Sequence, residues 1–271
     1  MLAASGNKLL LYVHSNDPVY NVPLREANGR QYVCLNYHDY SPLHFETEQF
    51  TPLPVGIIDG GLPFSYRITK LPRFEKESYT VRDVGFADGQ QVYRFQILVN
   101  GQVKKMFANY PVLDYAYHFD MPLSPETYGS LIPLLQQAVK GMNQKAGVEY
   151  LMRFTRQAFP FATDTKLYGA EKRLSPEQML LYDYSDCEDR AAFFYYLVKE
   201  IYNLPMIVLA YPQHVTVAVQ FQKPVGHSIA YNGHRYSICE PTPQRRDLAA
   251  GQLPHHLRHQ AFDVVHAYEP K

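Results

Sequence analysis

Two kinds of hydrophobic spacing divide the chain. Over residues 7–122 the apolar positions form short runs rich in Tyr, Val, Ile and Phe, broken by Gly, Pro, Asn and Asp, which is the pattern of strands joined by turns. In YRFQILVNGQ, Tyr93, Phe95, Ile97 and Val99 occupy alternate positions and so share one face of a strand. Asn100-Gly101 follows and predicts a hairpin turn, because both residues tolerate positive φ. Further strands are expected over 8–15, 31–38, 64–71, 78–84 and 113–121. Together they predict a β-sandwich-like N-terminal module over 7–122.

From residue 123 the spacing turns helical. Ser124 with Pro125 and Glu126 reads as a helix start, and Leu131, Leu134, Leu135 and Val139 recur at helical intervals. A second helix is expected over 147–158 and a short one over 176–181. At SDCEDRAAFFYYLVKEIYNLP, Ser185-x-x-Glu188 has the form of a capping box, with Asp186 as the alternative cap. The following helix is apolar nearly all round, as befits an element buried inside a domain, and Asn203-Leu204-Pro205 ends it. Strands are then expected over 206–211, 214–221, 228–231 and 234–239, with Asn232-Gly233 as a hairpin turn. The fold class is therefore α+β, a β-rich module over 7–122 followed by a helix-and-sheet domain over 123–271.

Composition changes this picture little. Hydrophobic residues make up 46% of the 271 and charged ones 19%, with 23 Tyr and 15 Phe to fill a core. Lys plus Arg equals Asp plus Glu at 26 each, so no basic field invites nucleic acid. No apolar run approaches the length of a membrane helix, so no membrane insertion is expected. The opening MLAASGNKLLLYVHS has neither the basic region nor the long apolar region of a signal peptide. Three cysteines, Cys34, Cys187 and Cys239, are widely spaced and odd in number, which builds neither a disulfide framework nor a CxxC zinc site.

Candidate chemistry gathers at Cys187. A thiol in the first turn of a helix sits where unpaired amides favour the thiolate, whereas Asp186, Glu188 and Asp189 beside it favour the neutral thiol. A buried inert cysteine is the alternative reading. In HVTVAVQF, Val215, Val217, Val219 and Phe221 form the core face, which leaves His214 off that face at the strand's start. In YSICEPT, Glu240 ends a strand, and alternation turns Cys239 the other way. A thiol enzyme needs a base for the thiol proton and a third group to orient the imidazole, and Cys187, His214 and Glu240 offer those types in order.

The stretches SDCEDRAAFFYYLV, YPQHVTVAV and YSICEPT resemble the bacterial transglutaminase-like family of the papain-like superfamily, across about residues 167–242. The resemblance implies a papain-like core, with Cys187 as nucleophile, His214 as general base and then acid, and Glu240 in the orienting position, where the family usually has Asp. It implies acyl transfer on peptide or amide bonds of a peptide or protein substrate, without a cofactor. Hydrolysis is the default outcome, since no calcium-loop signature is present. The oxyanion donor it implies is the Cys187 amide with one side chain, for which Gln178 and Tyr182 are the nearest candidates. The resemblance also implies an exported protein whose N-terminal β module contacts substrate or partner. A catalytically inactive binding or assembly protein is the alternative. A metal reading rests on PHHLRHQ, where His255 and His259 share a helical face beside His256.

Overall fold

The computed structural model describes residues 67–89, 91–108, 110, 113–163 and 172–270, and the backbone of four short strands before them. The chain divides into two compact units, Met1–Arg67 and Ile68–Lys271. In the first, β1 (Tyr20–Asn21) pairs in parallel with β4 (Leu62–Pro63), and β2 (Leu24–Ala27) pairs antiparallel with β3 (Arg30–Val33). The strand expected over 8–15 lies outside the described residues, as do most of 31–38 and Cys34. Residues 67–71 are not in a strand.

The second unit opens with a hairpin of β5 (Tyr79–Asp88) and β6 (Gln91–Asn100). Phe95, Ile97 and Val99 are buried on one face with Val84 and Phe86, as the alternation requires. The turn, however, is at Gly89 (φ 63), between the paired Asp88 and Gln91, and not at Asn100-Gly101. Gly101 is right-handed (φ −62) and leads into α1 (Gln102–Met106). Asn100 accepts the Gln102 N–H at 2.9 Å, a local side-chain turn that leads into the helix instead of reversing the strand. The stretch 113–121, expected as a strand, holds α2 (Tyr115–Phe119), with Tyr115 and Phe119 meeting at helical spacing, ring centres 6.2 Å apart.

Next come α3 (Pro125–Ala138) and α4 (Gln144–Gln157). Ser124 occupies the N-cap of α3, yet its hydroxyl makes no cap bond. The buried Glu177 carboxylate accepts the Ser124 N–H and hydroxyl and the Thr127 hydroxyl, so a distant acid supplies the negative charge that a helix start favours. α4 starts earlier than expected because Asn143 caps it, accepting the Ala146 N–H at 2.9 Å. A short α5 (Pro176–Met179) precedes α6 (Cys187–Tyr202), which is buried from Asp189 to Val198 and ends on left-handed Asn203 (φ 49).

α6 packs on α4 and on a five-stranded antiparallel sheet of β7 (Met206–Tyr211), β8 (His214–Val219), β9 (Ser228–Tyr231), β10 (His234–Cys239) and β11 (Asp263–Tyr268), in the order β11-β7-β8-β10-β9. The β9–β10 hairpin turns through Asn232 (φ 47) and Gly233 (φ 80), as predicted. Val215, Val217, Val219 and Phe221 face the helices in one core that also contains Val84, Phe86 and Phe95, so the hairpin placed with the N-terminal module by sequence shares its interior with the helices. The opposite sheet face is covered too: Ala218 packs with Leu209, Tyr236, Ile238, Leu253 and Leu257, and Thr216 has no exposed surface. The fold is thus mixed α plus β. No helix among the described residues is long and apolar enough to cross a membrane.

Candidate functional site

Cys187 is the first residue of α6, and its acidic neighbours build the turn that holds it. Asp186 caps the helix by accepting the N–H groups of Glu188 at 3.0 Å and Asp189 at 3.3 Å. Asp189 answers by accepting the Asp186 N–H at 3.1 Å and the Leu174 N–H at 2.7 Å. The capping box therefore runs between Asp186 and Asp189, the alternative cap, and not between Ser185 and Glu188. Glu188 accepts the Tyr115 hydroxyl at 2.7 Å and Arg173 Nε at 3.2 Å, and the Arg173 guanidinium stands 3.9 Å from the centre of the Tyr115 ring. The acids that crowd the thiol in sequence thus have partners: helix amides for two, an arginine and a phenol for the third.

Their charges still act on sulfur. Burial pushes the Cys187 thiol well above its ordinary range, Asp186 adds to this, the Val215 backbone N–H opposes it by pointing at the sulfur, and Glu188 and Glu240 push it further up. The residue is partly exposed, and burial with the acidic neighbours favours the neutral thiol. Cys239, in contrast, has no exposed surface and packs in the main core.

The Val215 amide belongs to β8, and the residue before it is His214. β8 and β10 are antiparallel neighbours, with Val217 opposite Cys239, so the end of β10 arrives beside the start of β8. There Glu240 Oε2 lies 2.7 Å from His214 Nε2, with the carboxylate fully buried and the imidazole side chain 10% exposed. The other carboxylate oxygen accepts the Thr242 N–H at 2.7 Å. The longer glutamate side chain folds back over its own Pro-Thr turn and spans from that amide to the ring. Its backbone carbonyl accepts Arg156 Nε at 2.8 Å and a second N–H of the same guanidinium. A carboxylate only accepts, so this contact calls for a ring hydrogen on Nε2, which leaves Nδ1 as the nitrogen turned away from Glu240.

The sequence-predicted residues are therefore gathered as follows. His214 and Glu240 are in direct contact, and Cys187 meets the backbone one residue along from His214, near enough to Glu240 to feel its charge. Gln178 is occupied at the start of α5, where its Oε1 accepts the Ser175 N–H at 3.0 Å. The Tyr182 hydroxyl accepts Lys172 Nζ at 2.8 Å, and Lys104 lies 4.4 Å from its ring centre. His255 and His256 sit in one 3-10 turn, His255–Leu257, too short to set His255 and His259 on a helical face. No cluster of three metal-ligating side chains exists among the described residues. The His256 ring stands edge-on to His214, centres 6.2 Å apart, so the histidine-rich segment borders this site.

Sequence reasoning missed Arg156, Tyr115, Arg173 and the placement of His256. Arg156 occupies an ordinary polar position of an amphipathic helix, which carries no local signal of burial. Tyr115 lay in a segment read as strand. No protein-family model matches the chain, and no curated protein matches it.

Proposed function

We propose that the chain is a thiol-dependent acyl-transfer enzyme of papain-like, transglutaminase-like design, acting on peptide or amide bonds through Cys187, His214 and Glu240. The observation that carries this reading is the buried 2.7 Å contact between His214 Nε2 and Glu240 Oε2, at the strand whose next amide points at the Cys187 sulfur. A buried carboxylate held against a partly exposed imidazole is the arrangement that orients a catalytic base.

In this chemistry His214 Nδ1 takes the thiol proton as sulfur bonds to the carbonyl carbon of an amide. The carbonyl oxygen gains the negative charge, and the Cys187 backbone N–H at the helix start stabilises it. The C–N bond then breaks, the imidazolium returns its proton to the departing amine, and a thioester remains. Water, losing a proton to His214, attacks the thioester and restores the thiol, releasing a carboxylic acid. The push toward the neutral thiol favours proton transfer that accompanies attack. Support for a peptide or protein substrate and for the papain-like core comes from the sequence resemblance.

A second reading, a binding or assembly protein with this fold and no catalysis, is favoured by the upward push on the thiol from burial, Asp186 and Glu188. Alkylation with iodoacetamide at neutral pH separates the two. The enzyme reading expects Cys187 to react much faster than Cys34 and Cys239, with the advantage lost in His214→Ala. Slow labelling of Cys187 that ignores the histidine supports the binding protein.

A further inference from the structure

Two buried arginines join the segments that carry the site. Arg190 lies three residues after Cys187 on α6 and has no exposed surface. Its guanidinium donates to the carbonyls of Thr155 at 2.8 Å, Arg156 at 3.1 Å and Phe159 at 2.6 Å. These carbonyls belong to the last turn of α4 and the residues just past it, where helix geometry leaves them without intrahelical partners. Arg156, whose carbonyl is held in this way, turns its own side chain to the other partner of the site. Nε and a second N–H grip the Glu240 carbonyl, and Nη1 pairs with Asp247. One continuous chain of contacts thus runs from the helix of the thiol, through the end of α4, to the backbone of the acid.

We infer that Arg156 is a positioning residue: by fixing the Glu240 backbone it sets the distance from Glu240 Oε2 to His214 Nε2. The inference rests on the roles given above to His214 and Glu240. The geometry explains how a glutamate serves in this place. With the Thr242 N–H fixing one carboxylate oxygen and Arg156 fixing the main chain, the extra methylene has no freedom to swing the other oxygen away from the ring. Lysine cannot replace the fork, since one ammonium does not supply two in-plane donors to a carbonyl while also reaching Asp247.

The test is a double-mutant cycle on the iodoacetamide labelling rate of Cys187 in the full chain. Arg156→Lys is expected to slow labelling about tenfold, the scale on which small misplacements of a catalytic pair act. It is also expected to bring the rate ratio between His214 and His214→Ala backgrounds close to one, which a purely structural arginine would leave unchanged. An undiminished ratio in Arg156→Lys overturns the inference. Should that variant not fold, Asp247→Asn, at a half-exposed position, is expected to lower the ratio in the same direction by a smaller factor, and no change there overturns it. The ring nitrogens of His214, followed by NMR, read the positioning without any reactivity: Arg156→Lys is expected to weaken the preference for hydrogen on Nε2. If His214→Ala leaves wild-type labelling untouched, the enzyme reading fails, while the NMR arm still decides the role of Arg156.

Discussion

Glu240 reaches His214 from a main-chain position that has been fixed before its side chain begins. Its carbonyl is held by Arg156, one carboxylate oxygen by the Thr242 N–H, and only the remaining oxygen, 2.7 Å from Nε2, is directed at the ring. The side chain's length is therefore matched to a span between two fixed points. The thiol is placed differently, by the Asp186–Asp189 caps and by the burial of α6 with its Arg190 tie to the end of α4.

That span makes the response to substitution specific. Glu240→Asp keeps the charge but shortens the reach, so the carboxylate satisfies either the Thr242 amide or the imidazole. We expect Cys187 labelling to fall about tenfold, with a stability loss of about 1–2 kcal/mol for the abandoned partner. Glu240→Gln keeps the length and loses the charge, and it is expected to slow labelling more than it lowers stability. Rates of alkylation beside urea unfolding curves check both variants. An aspartate variant that labels as fast as the parent would show that the span is not the constraint described.

Arg190 supports a different expectation, because its contacts are with carbonyls. Replacing it with methionine keeps much of the volume and leaves the Thr155, Arg156 and Phe159 oxygens short of donors inside the protein. Together with the lost tie between α4 and α6, this is expected to cost about 2–4 kcal/mol, given about 1–3 kcal/mol for a buried acceptor left without a donor. Denaturant melts of Arg190→Met measure it, and a loss below about 1 kcal/mol would mean that water reaches those carbonyls.

How far the sequence carried the structure follows from how local each signal is. The burial of α6, its stop at Asn203 and the β9–β10 turn at Asn232-Gly233 are set within a few residues, and each was readable. Asn100-Gly101 differs from the expected turn because the same dipeptide can also lead into a helix: Asn100 accepts the Gln102 N–H and donates to the Ser78 hydroxyl at 2.7 Å across the hairpin. The apolar residues over 113–121 fit a strand or a helix, and packing of Phe119 against Tyr195 accompanies the helix. At the site, the motif residues were legible one by one. Arg156 was not, since what makes it special is 84 residues away in sequence.

His118 is expected to make the stability of the protein sensitive to acid. It is fully buried on α2, with no hydrogen-bond partner for its Nε2. Burial first, and then Arg173, lower its pKa from 6.5 to about 3. The folded value lies below the unfolded one, so below about pH 6.5 the unfolded chain binds a proton that the folded chain refuses. Stability therefore falls as pH drops from about 6.5 toward 3, at up to about 1.4 kcal/mol per pH unit from this group. His118→Phe, which needs no proton, is expected to flatten the decline of melting temperature between pH 6.5 and 4 relative to the parent. Parallel declines in the two proteins would show that His118 gains a partner on protonation.

Asp186 holds two opposing roles at Cys187, and one substitution separates them. Its carboxylate caps α6 through the Glu188 and Asp189 amides, and its charge is the largest electrostatic influence raising the thiol's pKa after burial. Asparagine caps a helix about as well as aspartate, so Asp186→Asn keeps the turn while removing the charge. The thiolate is then opposed by burial, Glu188 and Glu240, and aided by the Val215 N–H and by a helix start no longer neutralised at its cap. Cys187 labelling by iodoacetamide at neutral pH is expected to rise by about threefold to tenfold, the equivalent of about half to one pKa unit. The circular dichroism spectrum and melting temperature are expected to stay close to those of the parent. Labelling that slows while the fold is retained would mean that the Asp186 charge helps hold His214 as a base, and would place the carboxylate inside the reacting site instead of beneath it.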